Sequence, residues 1–505
     1  MQQKCASPPG RAPFVLRTFS PLPGKSAPYM ERRCNKNVPV PNNALQKGMF
    51  ITMTAKINFT IREIMQATNG VFTGDCSLLD ERITTTEIDS RKVVPGSVFV
   101  AIKGENTDGY NYIPSAVEKG ALCIVTDRAY DGYPCVVVNE PVKALQDLAS
   151  AYRKKLNITV IGITGSVGKT TTKEIVASVL GRKYNVIKTE GNFNNGLGLP
   201  LTIMSIKPDT QVAVVEMGMN HFDEMRLLSS IARPTMCIMT NIGISHIENL
   251  GSRENILKAK SEIFDHMSAT ARCILNGDDD LLRTVDRPNK CYYGFNGNND
   301  IYVESFYDHG FDGSEFEVSL FGETYNCRIN VPGRHVLFAA MAAMAAGSWL
   351  GLTHSQIEEG LALAKSLSGR VNVIRTEKYT LIDDCYNAAP QSMMSGIDLL
   401  VKSDGACRGV CIFGDMFELG ADEAYLHKSV GEYAAKNKVG LLIAIGALSK
   451  NIYEGAVSKG GSALWFATKE EFLEKSQDIL KDGDAILIKA SHSMNFPKIV
   501  EALMN

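Results

Sequence analysis

The feature that most constrains the fold of this chain is a short apolar segment that runs directly into a glycine-rich turn. Residues 158–163 read ITVIGI, and residues 164–171 read TGSVGKTT. An uninterrupted apolar run of this length is typical of a strand buried on both faces, as in a parallel sheet. A strand, a tight turn and a helix in this order therefore predict an α/β fold.

The same turn predicts a site for nucleotide phosphates. Glycines let backbone N–H groups curl around phosphate oxygens, and the helix N-terminus adds partial positive charge. Lys169 is expected to reach the β- and γ-phosphates, and the Thr170 hydroxyl to hold Mg²⁺. The strict spacing of a P-loop is not met, because Ile163 stands where the first glycine belongs. The expected phosphate-binding residues are Thr164, Gly165, Ser166, Val167, Gly168, Lys169, Thr170 and Thr171.

The pattern of strands and helices predicts three α/β domains, and a length of 505 residues exceeds what one core fills. Residues 57–156 are expected to form a small N-terminal α/β domain with strands at 97–102 and 121–126 and a helix at 113–119. Residues 157–331 are expected to form a central, doubly wound, mostly parallel sheet that carries the P-loop.

A third, Rossmann-like domain is expected over residues 332–505, with ligands at the carboxyl ends of its strands. The candidate hinges between the domains are Leu156 and Pro332. The strands expected in the central and third domains lie at residues 158–163, 211–216, 235–240, 379–383, 408–413, 440–445 and 484–488.

Composition excludes several classes of protein. The formal net charge of −2 gives no general attraction to nucleic acid or anionic membrane. The apolar run at residues 336–352 is rich in alanine and short for a bilayer span, so we expect a buried helix. Twelve cysteines without a C-x-x-C pair indicate reduced thiols and a cytoplasmic protein.

Residues 1–56 differ from the rest of the chain. Eight of the nineteen prolines lie within the first fifty residues, where Glu31 is the one acid. We expect a disordered extension or an upstream mis-start, with a transit peptide as an alternative, because no apolar stretch is long enough for a secretory signal.

Two further groups are expected to converge on the phosphate site. Glu216 ends the strand that reads QVAVVE, and His246 follows the next strand in TNIGISH. Because the carboxyl ends of parallel strands meet at one edge of a sheet, both side chains should lie beside the P-loop. A carboxylate and an imidazole there are candidate metal ligands.

These motifs resemble, in order and spacing, those of the Mur ligases. The resemblance covers residues 57–505 and is carried by TGSVGKTTTK, GNFNNG, VVEMGM, TNIGISHIENLG, KAKSEIF, DDCYNA and GDMFELG. It implies a soluble ATP-dependent ligase of peptidoglycan synthesis. ATP would phosphorylate the terminal carboxylate of UDP-N-acetylmuramoyl-tripeptide, and the amine of D-alanyl-D-alanine would then displace the phosphate. We expect it to act as a monomer that binds neither nucleic acid nor membrane.

The resemblance also implies roles for individual residues. Lys169, His246, Lys260 and Arg370 would be catalytic, with Arg370 near the γ-phosphate and Lys260 carrying a carbamate. Two Mg²⁺ ions would be held by Thr170, Glu216, His246 and Lys260. Beyond the P-loop, the expected ATP contacts are Arg334, His335 and Asp384. The expected substrate contacts are Ser90, Arg91, Asn192, Asn195, Tyr386, Asn387 and Ser491.

Several positions depart from the family pattern. Ala339 stands where the family has an asparagine near the adenine, and Ala389 replaces the second asparagine of the Y-N-A-N-P segment. Tyr110 stands where a histidine is common, and His492 stands where an arginine is common. The alternatives are therefore another amide ligase of the superfamily, such as the ligase adding the third peptide residue or a folylpolyglutamate synthase, and a non-catalytic nucleotide-binding homologue. A P-loop GTPase or kinase is disfavoured, because no N-K-x-D segment is present.

Overall fold

The computed structural model describes residue 57, residues 59–402 and residues 407–504. Its strands form three sheets of five, nine and six strands. The predicted α/β fold with three sheet-containing regions is therefore confirmed. The expectations for residues 1–56 lie outside the described residues. No described helix has both the length and the apolar character that a membrane span requires.

The first sheet is small and mostly parallel. Its strands are β1 (Val71–Thr73), β2 (Thr86–Glu87), β3 (Val98–Val100), β4 (Cys123–Thr126) and β5 (Cys135–Val137), and its helices are α1 (Ile61–Thr68), α2 (Ile113–Glu118) and α3 (Pro141–Lys155). The spatial order is β1-β5-β4-β3-β2, and β1 runs antiparallel to β5. The expected strands at 97–102 and 121–126 and the helix at 113–119 are confirmed as β3, β4 and α2, each slightly shorter.

The second sheet carries the glycine-rich turn. Its strands are β6 (Thr159–Thr164), β7 (Val186–Lys188), β8 (Val212–Glu216), β9 (Met236–Met239), β10 (Arg272–Asn276), β11 (Lys290–Gly294), β12 (Ile301–Asp308), β13 (Ser314–Leu320) and β14 (Glu323–Ile329). Five helices lie between these strands: α4 (Lys169–Leu180), α5 (Gly198–Met204), α6 (Glu224–Ala232), α7 (Ile247–Leu250) and α8 (Arg253–Ser261). The spatial order is β14-β13-β12-β11-β10-β9-β6-β8-β7, with β12–β14 antiparallel.

The strand order explains where the site lies. After β6 the chain builds β7 and β8 on one side and then returns to place β9 on the other side. The direction of winding therefore reverses at β6, and the helices on either side diverge there to leave a crevice. The glycine-rich turn, the end of β8 and the segment after β9 all open into this crevice.

The apolar run expected to be a buried helix is confirmed as α9 (Val336–Trp349), in which eleven of fourteen residues are buried. It packs with α10 (His354–Ala362) against α4 and the second sheet. Gly360 allows the close approach, because a Cβ there would lie 2.4 Å from the Cα of Val179. Residues 336–362, which the sequence pattern assigned to the third domain, thus pack on the central one. We propose that the third domain begins after residue 364.

The third sheet is mostly parallel. Its strands are β15 (Asn372–Arg375), β16 (Thr380–Asp383), β17 (Gly409–Gly414), β18 (Leu441–Ile445), β19 (Ala463–Phe466) and β20 (Ala485–Lys489). Its helices are α11 (Pro390–Lys402), α12 (Glu423–Lys436), α13 (Lys450–Ser458), α14 (Lys469–Ile479) and α15 (Pro497–Met504). The spatial order is β15-β16-β20-β17-β18-β19, and β15 runs antiparallel to β16.

The described cysteines are mostly buried within these sheets. Nine carry free thiols, and eight of the nine are buried. Cys76 is disulfide-bonded.

Helix α3 joins the first two sheets firmly. It packs against α1 on one side and against α5 and α6 on the other, and one hydrophobic cluster includes residues from both sheets. The buried Arg153 side chain donates hydrogen bonds to the carbonyls of Ala232 at 2.7 Å and Arg233 at 3.2 Å. It also donates to the carbonyl of Leu156 at 3.0 Å. These contacts argue against the hinge expected at Leu156.

We expect Arg153→Ala to lower the free energy of unfolding by about 3 kcal/mol, because it leaves buried carbonyls without a charged donor. Urea unfolding followed by circular dichroism would measure this change. Arg328→Ala is the matched control: Arg328 is half-exposed and paired with Glu315, so its removal should change the free energy by less than about 1 kcal/mol. Equal effects of the two substitutions would contradict the role given to Arg153.

Candidate functional site

The glycine-rich loop between β6 and α4 is held in shape by the neighbouring strand. Gly165 and Gly168 have φ values of +149° and +82°, which L side chains rarely adopt. A Cβ on Gly165 would lie 1.9 Å from Oγ1 of Thr240, whereas a Cβ on Gly168 would meet nothing within 4 Å. The backbone N–H of Val167 donates to Oδ1 of Asn241 at 3.1 Å. The residues that follow β9 therefore hold the loop in one conformation.

Two lysines converge on one carbonyl oxygen of this loop. Nζ of Lys169 lies 2.8 Å from the carbonyl oxygen of Gly165, and Nζ of Lys260 lies 3.2 Å from the same oxygen. Lys260 is 1% exposed. Burial lowers the pKa of Lys260 well below its usual value, and the charge of Lys169 lowers it further. Burial also lowers the pKa of Lys169, against the opposing effect of Glu216.

A chain of hydrogen bonds joins the loop to the ends of two other elements. The Thr170 hydroxyl donates to Oε2 of Glu216 at 2.9 Å. Nδ2 of Asn194 donates to the other oxygen of Glu216, also at 2.9 Å. Arg370, which belongs to the segment preceding the third sheet, donates from Nη2 to the Thr170 hydroxyl at 3.1 Å. The site is thus built from both the central and the third domain.

His246 faces a carboxylate from the third domain. Its Nδ1 lies 2.7 Å from Oε2 of Glu418, and both residues have a φ of +64°. Burial lowers the pKa of His246, the Glu418 carboxylate opposes this effect, and the charge of Lys260 adds to it. The ring is therefore favoured in its neutral form, which is the form that ligates metals.

Three side chains of the third domain lie against one another beside the site. The guanidinium of Arg370 lies 3.8 Å from the ring centre of Tyr386. The Tyr386 ring in turn lies 5.4 Å from the ring of His492. Nε of Arg370 is buried and has no hydrogen-bond partner among the described residues. A buried donor of this kind is expected to be satisfied by a ligand.

The end of β16 meets the end of β20. Nζ of Lys489 donates to Oδ2 of Asp384 at 2.5 Å and to the carbonyl of Asn387 at 2.9 Å. His335, at the start of α9, lies near this pair. Burial lowers the pKa of His335, Asp384 opposes the effect, and Lys489 adds to it.

One cavity of about 910 Å³ contains most of these groups. At one end it is bounded by Tyr293, His335, Phe338 and Ala339, which make an aromatic and apolar wall suited to a base. The expected site residues that line it are Ser166, Val167, Gly168, Lys169, Thr170, Thr171, Asn195, Glu216, His246, His335, Arg370, Asp384, Tyr386 and Asn387.

The remaining expected site residues do not line this cavity. Thr164 and Gly165 are buried at the start of the loop, and Lys260 is buried behind it, where it contacts the Gly165 carbonyl. Asn192 is exposed, while Arg334 is exposed and lies over the Phe295 ring at 4.2 Å. The others are held by protein contacts: Ser491 accepts a hydrogen bond from the Phe417 amide, Lys119 donates to the Ser90 carbonyl, and Arg91 pairs with Asp89.

Sequence reasoning missed five contributors to the site. Asn194 lies in the GNFNNG segment between the two asparagines that are predicted to contact substrate. Thr240 and Asn241 immediately follow β9. Glu418 and Lys489 lie in recognised motifs, but only the fold shows that they reach His246 and Asp384. Spacing along the chain gives no signal for a contact between residues about 170 or 100 positions apart.

Three family descriptions match this chain in order. They are "Mur ligase family, catalytic domain" over residues 82–165, "Mur ligase middle domain" over residues 163–347 and "Mur ligase, glutamate ligase domain" over residues 369–492. The UDP-N-acetylmuramoyl-tripeptide–D-alanyl-D-alanine ligase of Bacillus subtilis is 36% identical over 423 residues, which are 82% of this chain and 92% of that protein.

Two solved structures share the fold. A crystal structure of MurF from Acinetobacter baumannii has a TM-score of 0.79 and 29% identity, and the match covers 88% of this chain and 98% of that one. A MurF ligase from Thermotoga maritima in complex with ADP has a TM-score of 0.73 and 27% identity, with 83% and 97% covered.

We expect Gly165→Ala to weaken nucleotide binding by about 100-fold or more, because its Cβ would overlap the Thr240 hydroxyl and displace the loop amides. Calorimetric titration with ADP would measure the dissociation constant. Gly168→Ala is the control: it has room for a Cβ and carries only the left-handed backbone penalty of about 1 kcal/mol, so binding should weaken by about tenfold or less. Similar losses in the two variants would contradict the rigid-loop account.

Proposed function

The chain belongs to the Mur ligase family, and we propose that it joins D-alanyl-D-alanine to UDP-N-acetylmuramoyl-tripeptide at the expense of ATP, a step of peptidoglycan precursor synthesis. One observation supports this reaction most directly. Arg370 of the third domain reaches the Thr170 hydroxyl of the phosphate loop, beside Glu216 and two lysines. This is the concentration of donors that a phosphoryl group in transfer needs.

The proposed chemistry has two steps. A carboxylate oxygen of the tripeptide attacks the γ-phosphorus of ATP, so that an O–P bond forms, the bond to the bridging oxygen breaks and ADP leaves. The amine of D-alanyl-D-alanine then attacks the acyl carbon. The C–N bond forms, the C–O bond to phosphate breaks, and the amine loses a proton. Phosphorylation is needed because a free carboxylate has no adequate leaving group.

The loop amides and Lys169 are proposed to hold the ATP phosphates. Arg370, whose Nε has no hydrogen-bond partner among the described atoms, is proposed to bind the γ-phosphoryl group during transfer. Because Arg370 comes from the third domain, the groups that bind phosphate are complete only when that domain lies against the central one. Such closure would also keep water away from the acyl phosphate.

The outer parts of the site are assigned on chemistry and position. Asp384 and His335 are proposed to contact the ribose and base of ATP, with Arg334 at the outer edge of that wall. Tyr386, Asn387 and Asn195 face the same cavity and are proposed to contact the peptide substrate. Asn192, Ser491, Ser90 and Arg91 lie outside the cavity lining, and their substrate contacts remain predictions.

The residues present fit one Mg²⁺ site shared with ATP. The Thr170 hydroxyl and the Glu216 carboxylate are adjacent hard oxygen donors, and Mg²⁺ commonly takes few protein ligands and completes its shell with phosphates and water. Bound Mg²⁺ would neutralise phosphate charge. No group of three His, Cys, Asp or Glu side chains suited to a metal occurs in the described ranges. A second ion at His246 would therefore need Lys260 to become an anion.

Lys260 is suited to become that anion as a carbamate. Burial and Lys169 lower the pKa of Lys260 well below its usual value, so its amine is available in the neutral form that reacts with CO₂. The amine nitrogen bonds to the carbon, and the amine proton passes to solvent. The product can ligate a metal, which an ammonium cannot do.

We expect purified protein in carbon-13 bicarbonate to show a carbamate resonance that Lys260→Met lacks, with kcat of that variant lower by about 100-fold. Lys258→Met is the matched control, since Lys258 lies exposed on the same helix and should keep both the resonance and the activity. A wild-type spectrum without the resonance, together with full activity of Lys260→Met, would exclude the carbamate.

The protein is further proposed to act in the cytoplasm as a monomer, without nucleic-acid or membrane partners. Its formal net charge of −2 offers no general attraction to nucleic acid or to an anionic membrane surface.

The decisive assay is phosphate release from ATP with Mg²⁺, bicarbonate and UDP-N-acetylmuramoyl-tripeptide, with and without D-alanyl-D-alanine. We expect release that depends on both substrates and a UDP-pentapeptide product identified by mass. Release with a single amino acid in place of the dipeptide would favour another ligase of the superfamily. Folded protein that binds ADP but releases no phosphate with any amine would favour a non-catalytic homologue.

A further inference from the structure

Two neighbouring carboxylates hold the backbone on either side of Arg370. Oδ2 of Asp383 accepts the backbone N–H of Gly369 at 2.7 Å. Oδ1 of Asp384 accepts the backbone N–H of Val371 at 3.2 Å. Both aspartates stand at the carboxyl end of β16, which pairs with β15 on one side and β20 on the other. The residues before and after Arg370 are therefore both tied, through their backbone amides, to the end of one strand.

The held segment has an unusual backbone. Val371 has a φ of +50°, a left-handed conformation that is an outlier for a β-branched residue. Gly369, two residues earlier, has a φ of +75°. Such conformations persist only where the surrounding contacts determine them. All three amides of this segment are held: Asp383 accepts from Gly369, Asp384 accepts from Val371, and the Leu367 carbonyl accepts from Arg370 at 2.9 Å.

The direction of the Arg370 side chain follows from this backbone. Its guanidinium contacts the Tyr386 ring and the Thr170 hydroxyl, and its Nε points to no protein acceptor among the described residues. The Tyr386 amide also donates to the Gly369 carbonyl at 3.1 Å, which ties the stacking partner to the same loop. A change in the backbone at residue 369 would therefore move both the arginine and its stacking partner.

We propose that Asp383 is a positioning residue for the transferred phosphoryl group, which it serves by fixing the direction of Arg370. Asp383 is 4% exposed and does not line the cavity, so it touches no substrate itself. Asp384 differs, because it lines the cavity and is paired with Lys489. The role of Asp383 rests on the proposed function, since only a reaction at the phosphate loop would use Arg370.

A double-mutant cycle tests this role, with phosphate release in the complete ligase assay as the measurement. We expect Asp383→Ala to lower kcat by about 100-fold and to change KM for ATP by less than about threefold, because a displaced group acts mainly on the transition state. Arg370→Ala should lower kcat at least as far. The double variant should be no slower than Arg370→Ala, because Asp383 acts through the arginine.

Two controls separate positioning from general stability. Ser368→Ala removes a hydroxyl that donates to the same Asp383 carboxylate at 3.3 Å but leaves the Gly369 contact, so kcat should change by less than about twofold. Asp383→Asn keeps one acceptor oxygen for the Gly369 amide and should recover at least about tenfold of the activity lost in Asp383→Ala. This variant also replaces Asp383→Ala in the cycle if the alanine protein does not fold.

The outcomes distinguish the two proposals. If the losses of kcat in Asp383→Ala and Arg370→Ala multiply in the double variant, the positioning role is overturned and a structural role is indicated. In that case the activity of the wild-type protein would still support the ligase function. An inactive wild-type protein would instead overturn the ligase function. A rise in KM for ATP with unchanged kcat in Asp383→Ala would also overturn the positioning role.

Discussion

The site depends on positive charge concentrated around the Gly165 carbonyl oxygen. Lys169 and Lys260 both contact that oxygen, and Arg370 lies within hydrogen-bond distance of the adjacent Thr170. A single carbonyl does not neutralise two ammonium groups, and unpaired buried charge is expensive. Burial lowers the pKa of both lysines, and the nearby Glu216 carboxylate opposes this effect at Lys169. ATP phosphates and a carbamate on Lys260 would both relieve this charge.

The sheet topology explains why this charge can lie at the end of β6. The winding reverses at β6, so that the ends of β6, β8 and β9 open into one crevice instead of being covered by a crossover helix. Helix α4 begins there and is buttressed on its far side by α9 and α10. The N-terminus of α4 is thereby fixed in place, and the loop amides are aimed before any ligand arrives, which lowers the reorganisation that binding requires.

Much of the fold could be predicted because strands buried on both faces give long apolar runs, as at β6 and β18. The boundary that we propose after residue 364 was not indicated by the sequence for the opposite reason. Helix α9 is apolar on all sides, so its sequence does not indicate which sheet it packs on. Within the site, the glycines and Lys169 could be predicted, because together they form a recognisable local motif for binding phosphate. The roles of Asp383 and Glu418 could not be predicted in this way, because they arise from contacts with residues that are distant in the sequence.

The three domains are joined in unequal ways, and this bears on how the site opens. The first two sheets share one hydrophobic cluster and the buried Arg153 contacts, which together resist separation. The third domain meets the central one through polar contacts, including Arg370 with Thr170, His246 with Glu418 and the exposed pair Arg375 with Asp312. Two half-buried apolar side chains of the central domain, Ile244 and Phe311, also pack against its hydrophobic cluster. Exposed ion pairs contribute little free energy each. Motion of the third domain would therefore disrupt fewer buried contacts than separation of the first two sheets, and it would withdraw Arg370 from the phosphate loop.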